Sequence, residues 1–245
     1  MGAFIKILIG ILILFTCTLA DAQDDILLSM QSNFKAKNYR KVIDATKSYL
    51  KKHQPHDTVQ LQLMHLKSRS YRMLQQYDSS FYTYIEIIKK YPTDRVTLVH
   101  LGYLFGEAGN YHSAFHFLQK LRKYHPTDPV GTLNFSFYHN ELGNHETAIA
   151  YADSTLQIAR DSLTIGSAWN NRCYANIQLG NLTVANEELE VSLSYFPNNS
   201  YAYRNLALIN IGKRKDEEAC AALEIASQLG GIHITQQLKR DFCGK

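Results

Sequence analysis

The sequence predicts an all-α fold, a solenoid of about six helical hairpins closed by a C-terminal capping helix. Two kinds of residue recur at nearly constant intervals and support this prediction. Gly-Asn pairs stand at Gly109-Asn110, Gly143-Asn144 and Gly180-Asn181, at steps of 34 and 37 residues. Small residues keep a matching register at Ser80, Ala114, Ala148, Ala185 and Ala219.

Each recurring residue has a mechanical reason to be there. Glycine or asparagine can adopt the left-handed conformation that ends a helix. Prolines at Pro92, Pro126 and Pro197 follow an aromatic or histidine residue and stop a second helix. A small side chain lets the two helices of one hairpin approach closely. The predicted unit is therefore a helix, a tight turn, a second helix and a break.

Residues 95–128 resemble the tetratricopeptide repeat, a family built from such helix pairs. The matching residues are Leu98, Leu101, Gly102, Phe105, Ala114, Leu118 and Pro126. The resemblance covers essentially all of the chain after residue 23 and implies a right-handed α-solenoid that binds a partner in its concave groove. Arg160 departs from the pattern where proline is expected, and three extra residues follow, which predicts a looser junction at that point.

The domain organisation follows from this register. The repeat array spans residues 23–231, and the capping helix spans residues 232–245, with Ile234, Leu238 and Phe242 spaced by four on one face. The repeats are placed near residues 24–57, 61–94, 95–128, 129–162, 166–199 and 200–231.

Residues 1–22 are expected to be a secretory signal peptide. Lys6 precedes an unbroken apolar run from Ile7 to Phe15, which is too short for a membrane span of ~20 residues. Ala20-Asp21-Ala22 has the small-x-small pattern of a cleavage site. An exported protein, periplasmic or secreted and without a membrane span after cleavage, is the expectation. An uncleaved anchor and lipid attachment at Cys17 are the alternatives.

The cysteines have different expected roles. Cys220 and Cys243 lie at similar distances on either side of Gly230-Gly231, so an antiparallel hairpin brings them to nearly equal height. Export permits a disulfide between them, and two small buried thiols are the alternative. Cys173 occupies a small-residue position of its repeat, which indicates a packing role.

Composition and motifs argue against several classes of function. The net charge is only +4, and no dense basic run indicates a nucleic-acid partner. The sequence has no phosphate loop, G-x-S-x-G, H-E-x-x-H or CxxC motif, so no enzymatic activity and no cofactor is expected. His112 and His116 have metal-ligand spacing, but the sequence offers no convincing third ligand. A metal-dependent enzyme is therefore the least favoured hypothesis.

The resemblance also indicates where a partner binds. In this family the concave groove is lined by the first helix of each hairpin, at its second, fifth, ninth, twelfth and thirteenth residues. Its fifth and ninth residues give a groove that is aromatic and apolar in the middle and basic at its ends, which suits a protein or peptide ligand. A glycan or small molecule on the same aromatic surface is the alternative. The candidate residues are His65, Arg69, Val99, Tyr103, Leu133, Phe137, Asn170, Tyr174 and Arg204.

Overall fold

A computed structural model describes residues 25–230 and 233–244, and the expected signal peptide with Cys17 lies outside these residues. The described part contains thirteen α-helices and no strand, which confirms the all-α helical-repeat fold. None of the described helices is both long and apolar enough to cross a bilayer. The helices are α1 (residues 25–35), α2 (Tyr39–Lys52), α3 (Asp57–Met73), α4 (Tyr77–Lys90), α5 (Arg95–Glu107), α6 (Tyr111–Tyr124), α7 (Pro129–Glu141), α8 (His145–Ile158), α9 (Ser162–Gln178), α10 (Leu182–Tyr195), α11 (Ser200–Gly212), α12 (Asp216–Gln228) and α13 (His233–Cys243).

The described residues form two compact units, which divide between Thr97 and Leu98 within α5. In the first unit, α2 packs against α3, and α3 packs against α4. Its core is aliphatic, and Ile26, Leu27 and Phe34 of α1 add partly buried side chains to it. Burial of such apolar surface is the main driving force for packing amphipathic helices. The buried members of this core are Met30, Val42, Val59, Leu63 and Leu66.

In the second unit, α7 packs on α8, α9 on α10, α11 on α12 and α12 on α13. Small residues permit close contact between the paired helices. A Cβ atom added at Gly102 would lie 2.8 Å from Leu118 Cδ2, so only glycine fits there without movement. The Ser136 hydroxyl donates across its hairpin to the carbonyl oxygen of Ala148 at 2.8 Å, and Ser68 does the same to Ser80 in the first unit at 3.0 Å.

Within residues 25–230, the turns inside the six helical hairpins share one backbone geometry. Three of them place glycine at positive φ, with 71° at Gly109, 77° at Gly143 and 79° at Gly180. The same position holds Lys37, Gln75 and Arg214 in the other three turns, at φ of 61°, 59° and 58°. In each turn the next residue donates its N–H to a carbonyl five residues earlier, as Asn110 does to Phe105 at 2.9 Å. This Schellman arrangement satisfies carbonyls that a helix end leaves unpaired.

The expected loose junction after Arg160 is helical in the structure, and this corrects the expectation. α9 begins at Ser162 and has 17 residues, whereas α7 and α11 have 13 each. The Asp161 side chain caps the helix by accepting a hydrogen bond from the Thr164 N–H at 2.9 Å. The inserted residues therefore add one helical turn at the start of α9, because a capping residue happens to precede them.

The last helix, α13, is joined to α12 by a disulfide between Cys220 and Cys243, whose Cα atoms are 5.7 Å apart. Leu238 and Phe242 pack against the buried Ala219, Ala222 and Leu223 beneath it. Ile234, the third apolar residue expected on this face, lies among residues whose side chains are not described. Cys173 is a free thiol buried against Ala185 and Leu189.

Candidate functional site

A cavity of about 170 Å³ opens on the second unit, between the first helices of successive hairpins. Helices α5, α7 and α9 form its walls, and the start of α11 closes one end. The residues that line it are Tyr103, Glu107, Leu133, Asn134, Phe137, Tyr138, Ser167, Asn170, Asn171, Asn199 and Tyr201. We refer to this cavity as the concave pocket.

Four of the nine predicted groove residues line the concave pocket: Tyr103, Leu133, Phe137 and Asn170. Tyr103 keeps 41% of its surface exposed, while Asn170 is 5% exposed. Val99 is half-buried on α5 and does not line the pocket. The pocket thus contains part of the expected aromatic and apolar middle of the groove, whereas Tyr174 stacks with Arg204 and does not line the pocket.

The expected basic ends of the groove have other arrangements. Arg204 is only 5% exposed, and its guanidinium stacks on Tyr174 and Tyr201 at 4.8 and 5.5 Å from the ring centroids. It is therefore not an exposed basic end, because two aromatic rings cover the cation. Its Nη2 lies 3.5 Å from Asn205 Oδ1, and its Nε has no hydrogen-bond partner among the described residues.

Of the predicted groove residues, His65 and Arg69 belong to the first unit. His65 Nε2 lies 2.9 Å from Asp94 Oδ2, and both side chains are mostly buried. Burial opposes ionisation of Asp94, but contacts with His65 and Thr97 outweigh it and lower the pKa of that carboxyl. Arg69 is exposed at the surface, with its guanidinium over the Phe34 ring at 4.7 Å. The first unit thus engages both residues in contacts of its own.

Several residues that line the pocket were not predicted from the sequence. Three of them could have been found, because they occupy groove positions of the repeat that had not been mapped: Glu107 is a thirteenth residue, and Ser167 and Tyr201 are second residues. Asn134, Tyr138 and Asn171 occupy positions outside that pattern, so only the contacts between neighbouring repeats identify them.

Buried asparagines join the walls of the pocket to one another. Asn171 Nδ2 donates to the Leu133 carbonyl oxygen at 3.3 Å, and Asn140 Nδ2 donates to the Asn171 carbonyl oxygen at 2.8 Å. Asn205 Nδ2 donates to Asn170 Oδ1 at 2.9 Å and to its carbonyl oxygen at 3.2 Å. These hydrogen bonds connect α7 to α9 and α9 to α11, so the pocket is preformed and its binding cost in ordering is low.

Tyr138 forms the floor of the pocket. It is 2% exposed, and its hydroxyl donates to the Gly102 carbonyl oxygen at 3.3 Å. The ring lies so close to α5 that a Cβ atom at Gly106 would be 2.1 Å from Tyr138 Cζ. Burial, and then the nearby carboxylate of Glu107, raise the pKa of Tyr138, so the hydroxyl stays a neutral donor.

The pocket is lined by one acidic residue. Glu107 is the one formally charged residue among those that line it, and it is the last residue of α5. Burial is the main reason that the pKa of Tyr201 is raised, and the carboxylates of Glu107 and Glu141 raise it further, against the Arg204 cation. The pKa of Tyr201 therefore responds to charges of both signs.

Outside the pocket, a second polar network contains a buried carboxylate. Glu188 is 4% exposed and accepts a hydrogen bond from Asn176 Nδ2 at 2.9 Å. Arg172 bridges it to Asp153, with Nη2 2.9 Å from Glu188 and Nη1 2.7 Å from Asp153. Burial outweighs these contacts and raises the pKa of Glu188.

The two histidines with metal-ligand spacing lie exposed on α6. His116 makes an edge contact with Phe117 at 5.3 Å. Within residues 25–230 and 233–244, no group of three or more His, Cys, Asp and Glu side chains is close enough to hold a metal ion. His112 and His116 therefore have no third ligand of these types in the described part.

Part of the sequence matches a family of known proteins. The family model described as "Tetratricopeptide repeat" matches residues 63–94 and 97–128. A search of curated proteins found no match to the chain.

Several solved structures have the same fold. A tetratricopeptide repeat protein from Parabacteroides merdae has a TM-score of 0.69 and 14% identity, covering 89% of this chain and 83% of its own. PilW, a type IV pilus biogenesis factor, has a TM-score of 0.61 and 15% identity, covering 71% and 79%. A thermophilic tetratricopeptide protein from Thermus thermophilus has a TM-score of 0.60 and 16% identity, covering 73% and 96%. At these identities the likeness concerns the fold.

Proposed function

We propose that this chain, which is a tetratricopeptide-repeat protein, is a non-catalytic scaffold that binds an extended segment of a partner protein in the concave pocket. The observation that supports this most strongly is the preformed pocket itself. Its rim presents the half-exposed Tyr103 beside Phe137, and its walls are fixed by buried asparagines. Exposed aromatic surface of this kind marks interaction sites, because it gains free energy when a partner covers it.

The size of the pocket favours a peptide over a whole small molecule. Its volume of about 170 Å³ holds five or six water molecules at ~30 Å³ each. Pockets that enclose drug-sized ligands begin at ~300 Å³. A single side chain of a longer segment fits this volume, while the partly exposed amide of Asn134 can bond its backbone. An extended chain therefore uses both features of the site.

We also place this scaffold outside the cytoplasm, in the cell envelope or the secreted space. The signal-peptide pattern of residues 1–22 supports this location. The disulfide between Cys220 and Cys243 adds support, because such bonds persist mainly in oxidising compartments. Fractionation of the source cells, with immunodetection of the chain and N-terminal sequencing, tests it. Detection in the cytoplasm with residues 1–22 still attached rejects it.

Peptide display tests the binding function. A library of random 12-residue peptides is selected on the purified chain, and each selected peptide is measured against Tyr103→Ala/Phe137→Ala. We expect at least a tenfold weaker Kd for the double variant, because both rings are removed from the pocket. The matched control is Tyr195→Ala, since Tyr195 is 44% exposed on α10 and does not line the pocket.

Circular dichroism establishes that each variant keeps its helical content. Peptides that bind the double variant as tightly as the original chain would place the binding surface elsewhere. A failure to select any peptide would reject peptide binding by this protein.

A second candidate function is glycan binding, which the combination of rings and amides also favours. Tyr103 and Phe137 offer flat faces for stacking, and Asn134 offers an amide that can bond sugar hydroxyls. A glycan array probed with the purified chain separates the two functions. Binding of a glycan that is lost in the Tyr103→Ala/Phe137→Ala variant would favour this second function over the first.

A further inference from the structure

We infer that the concave pocket accepts a cationic side chain, the lysine or arginine of a partner peptide. This inference rests on the proposed peptide-binding function and specifies the chemistry of its anchor residue.

The pocket has the components of an aromatic box for a cation. Tyr103, Phe137, Tyr138 and Tyr201 line it. Phe137 meets Tyr201 nearly at right angles, at 88° with centroids 6.1 Å apart, and meets Tyr138 at 73° and 5.5 Å. The rings along the pocket therefore lie in different orientations, and the π-face of an aromatic ring attracts a cation through the ring quadrupole.

A carboxylate completes the box. Glu107 lines the pocket and is exposed, so its charge is available to a ligand. It ends α5, and Glu141 ends α7, where the partial negative charge of each helix terminus favours a cation as well. Burial is the main cause of the raised pKa of Tyr201, which lines the pocket, and the charges of both carboxylates raise it as well.

Arg204 is a cation near the pocket. Its guanidinium lies 5.5 Å from the centroid of the Tyr201 ring, and its charge opposes the effect of the two carboxylates on the pKa of Tyr201. It is 5% exposed and does not line the pocket, so its guanidinium is not presented to a ligand there. An acidic anchor would meet the Glu107 carboxylate instead of Arg204. Charge complementarity thus selects a basic anchor over an acidic one.

The experiment starts from the peptides selected on the purified chain. One selected peptide with a basic residue common to its class is synthesised in two forms, with lysine or with norleucine at that position. Norleucine keeps the aliphatic stem and removes the charge. We expect the lysine peptide to bind at least tenfold more tightly, a difference of about 1.4 kcal/mol.

Glu107→Gln should weaken the lysine peptide about tenfold and leave the norleucine peptide unchanged, because Gln keeps the shape and removes the charge. This cycle isolates the interaction between the two charges. The control is Glu187→Gln, since Glu187 is exposed on α10 and does not line the pocket. It should leave both affinities unchanged.

The outcomes separate the two proposals. Selected peptides that share no basic residue, or that bind Glu107→Gln as tightly as the original chain, overturn the cationic anchor while the peptide-binding function stands. A library that yields no peptide at all overturns both.

Discussion

Replacing Gly106 by alanine tests whether close packing against α5 sets the floor of the concave pocket. Gly106 lies in the last turn of α5 and is buried. Its added Cβ atom would meet three atoms of Tyr138, namely Cζ at 2.1 Å, the hydroxyl oxygen at 2.2 Å and Cε1 at 2.4 Å. Tyr138 would have to move, and it is the residue that lines the pocket from beneath.

Two opposing effects decide whether Gly106→Ala raises or lowers the free energy of unfolding. Alanine is favoured over glycine in a helix by ~1 kcal/mol. Carbon atoms in contact prefer ~3.5–4.0 Å, so the new Cβ would overlap the ring by roughly 1.5 Å. Tyr138 is 2% exposed and hydrogen-bonded to Gly102, so it has little room to yield. Overpacking of this kind costs ~1–3 kcal/mol, and a short rigid contact belongs at the upper end. We expect a net loss of about 2 kcal/mol.

Urea unfolding followed by circular dichroism measures the loss, with Gly131→Ala as the matched control. A Cβ atom at Gly131 would come only to 3.2 Å from Leu121 Cδ2, a terminal methyl that can rotate away. The helix preference of alanine should then dominate, and stability should rise by up to ~1 kcal/mol.

A third variant assigns the loss to Tyr138. In a Tyr138→Ala background the clash is gone, so Gly106→Ala should cost nothing further or stabilise the chain. The reasoning fails if Gly106→Ala is as stable as the original chain, or if it costs the same with and without the tyrosine ring.

Three further changes test the packing and electrostatics. Gln75→Gly and Arg214→Gly should each raise the free energy of unfolding by about 0.5 kcal/mol. Glycine removes the strain of positive φ, and this gain exceeds the cost of its greater entropy in the unfolded chain. A loss of stability in urea unfolding would contradict this prediction. Cys220→Ser/Cys243→Ser should be about 3 kcal/mol less stable than the original chain with its disulfide formed, because the variant loses the loop-entropy effect of a 23-residue separation. An unchanged urea midpoint would contradict this prediction. Glu188→Gln should become more stable relative to the original chain as the pH rises from about 4 to 7. The folded state raises the pKa of Glu188, so ionisation of this carboxyl opposes folding at pH values above the ordinary glutamate pKa of ~4.3. Urea midpoints of the variant and the original chain that change in parallel over this range would contradict the prediction.

The repeat register was predictable because it depends on residues with few substitutes. A glycine at a left-handed turn and a small residue at a helix crossing can be recognised in the sequence, because few other residues fit these positions. The same turn geometry at Lys37, Gln75 and Arg214 was not recognisable, because these residues adopt positive φ only where the surrounding hydrogen bonds require it. The extra turn of α9 was not predicted for a related reason. An insertion in a repeat suggests a loop unless the capping residue before it, here Asp161, is recognised.

The chemistry of the pocket was less accessible from sequence. The repeat position of Arg204 was correct, but its burial was not foreseen, because Tyr174 and Tyr201 come from two different hairpins and cover it together. Glu107 occupies a groove position, and its importance depends on having aromatic neighbours from other helices. A position rule gives the face on which a side chain lies, and packing between repeats decides which of those side chains a ligand can reach.

The two kinds of residue in the pocket therefore differ in what a substitution changes. Asn171, Asn205 and Tyr138 are buried and bind the helices to each other, so replacing them alters the shape of the site along with stability. Tyr103 and Glu107 are exposed and end in the pocket, so replacing them changes its chemistry while the helices keep their packing. Because the walls are preformed, the identity of the anchor residue should depend mainly on this exposed pair. Glu107→Lys, which reverses the charge without filling the buried wall, should then turn a preference for basic peptides into one for acidic peptides, and a second round of display on that variant would reveal the change.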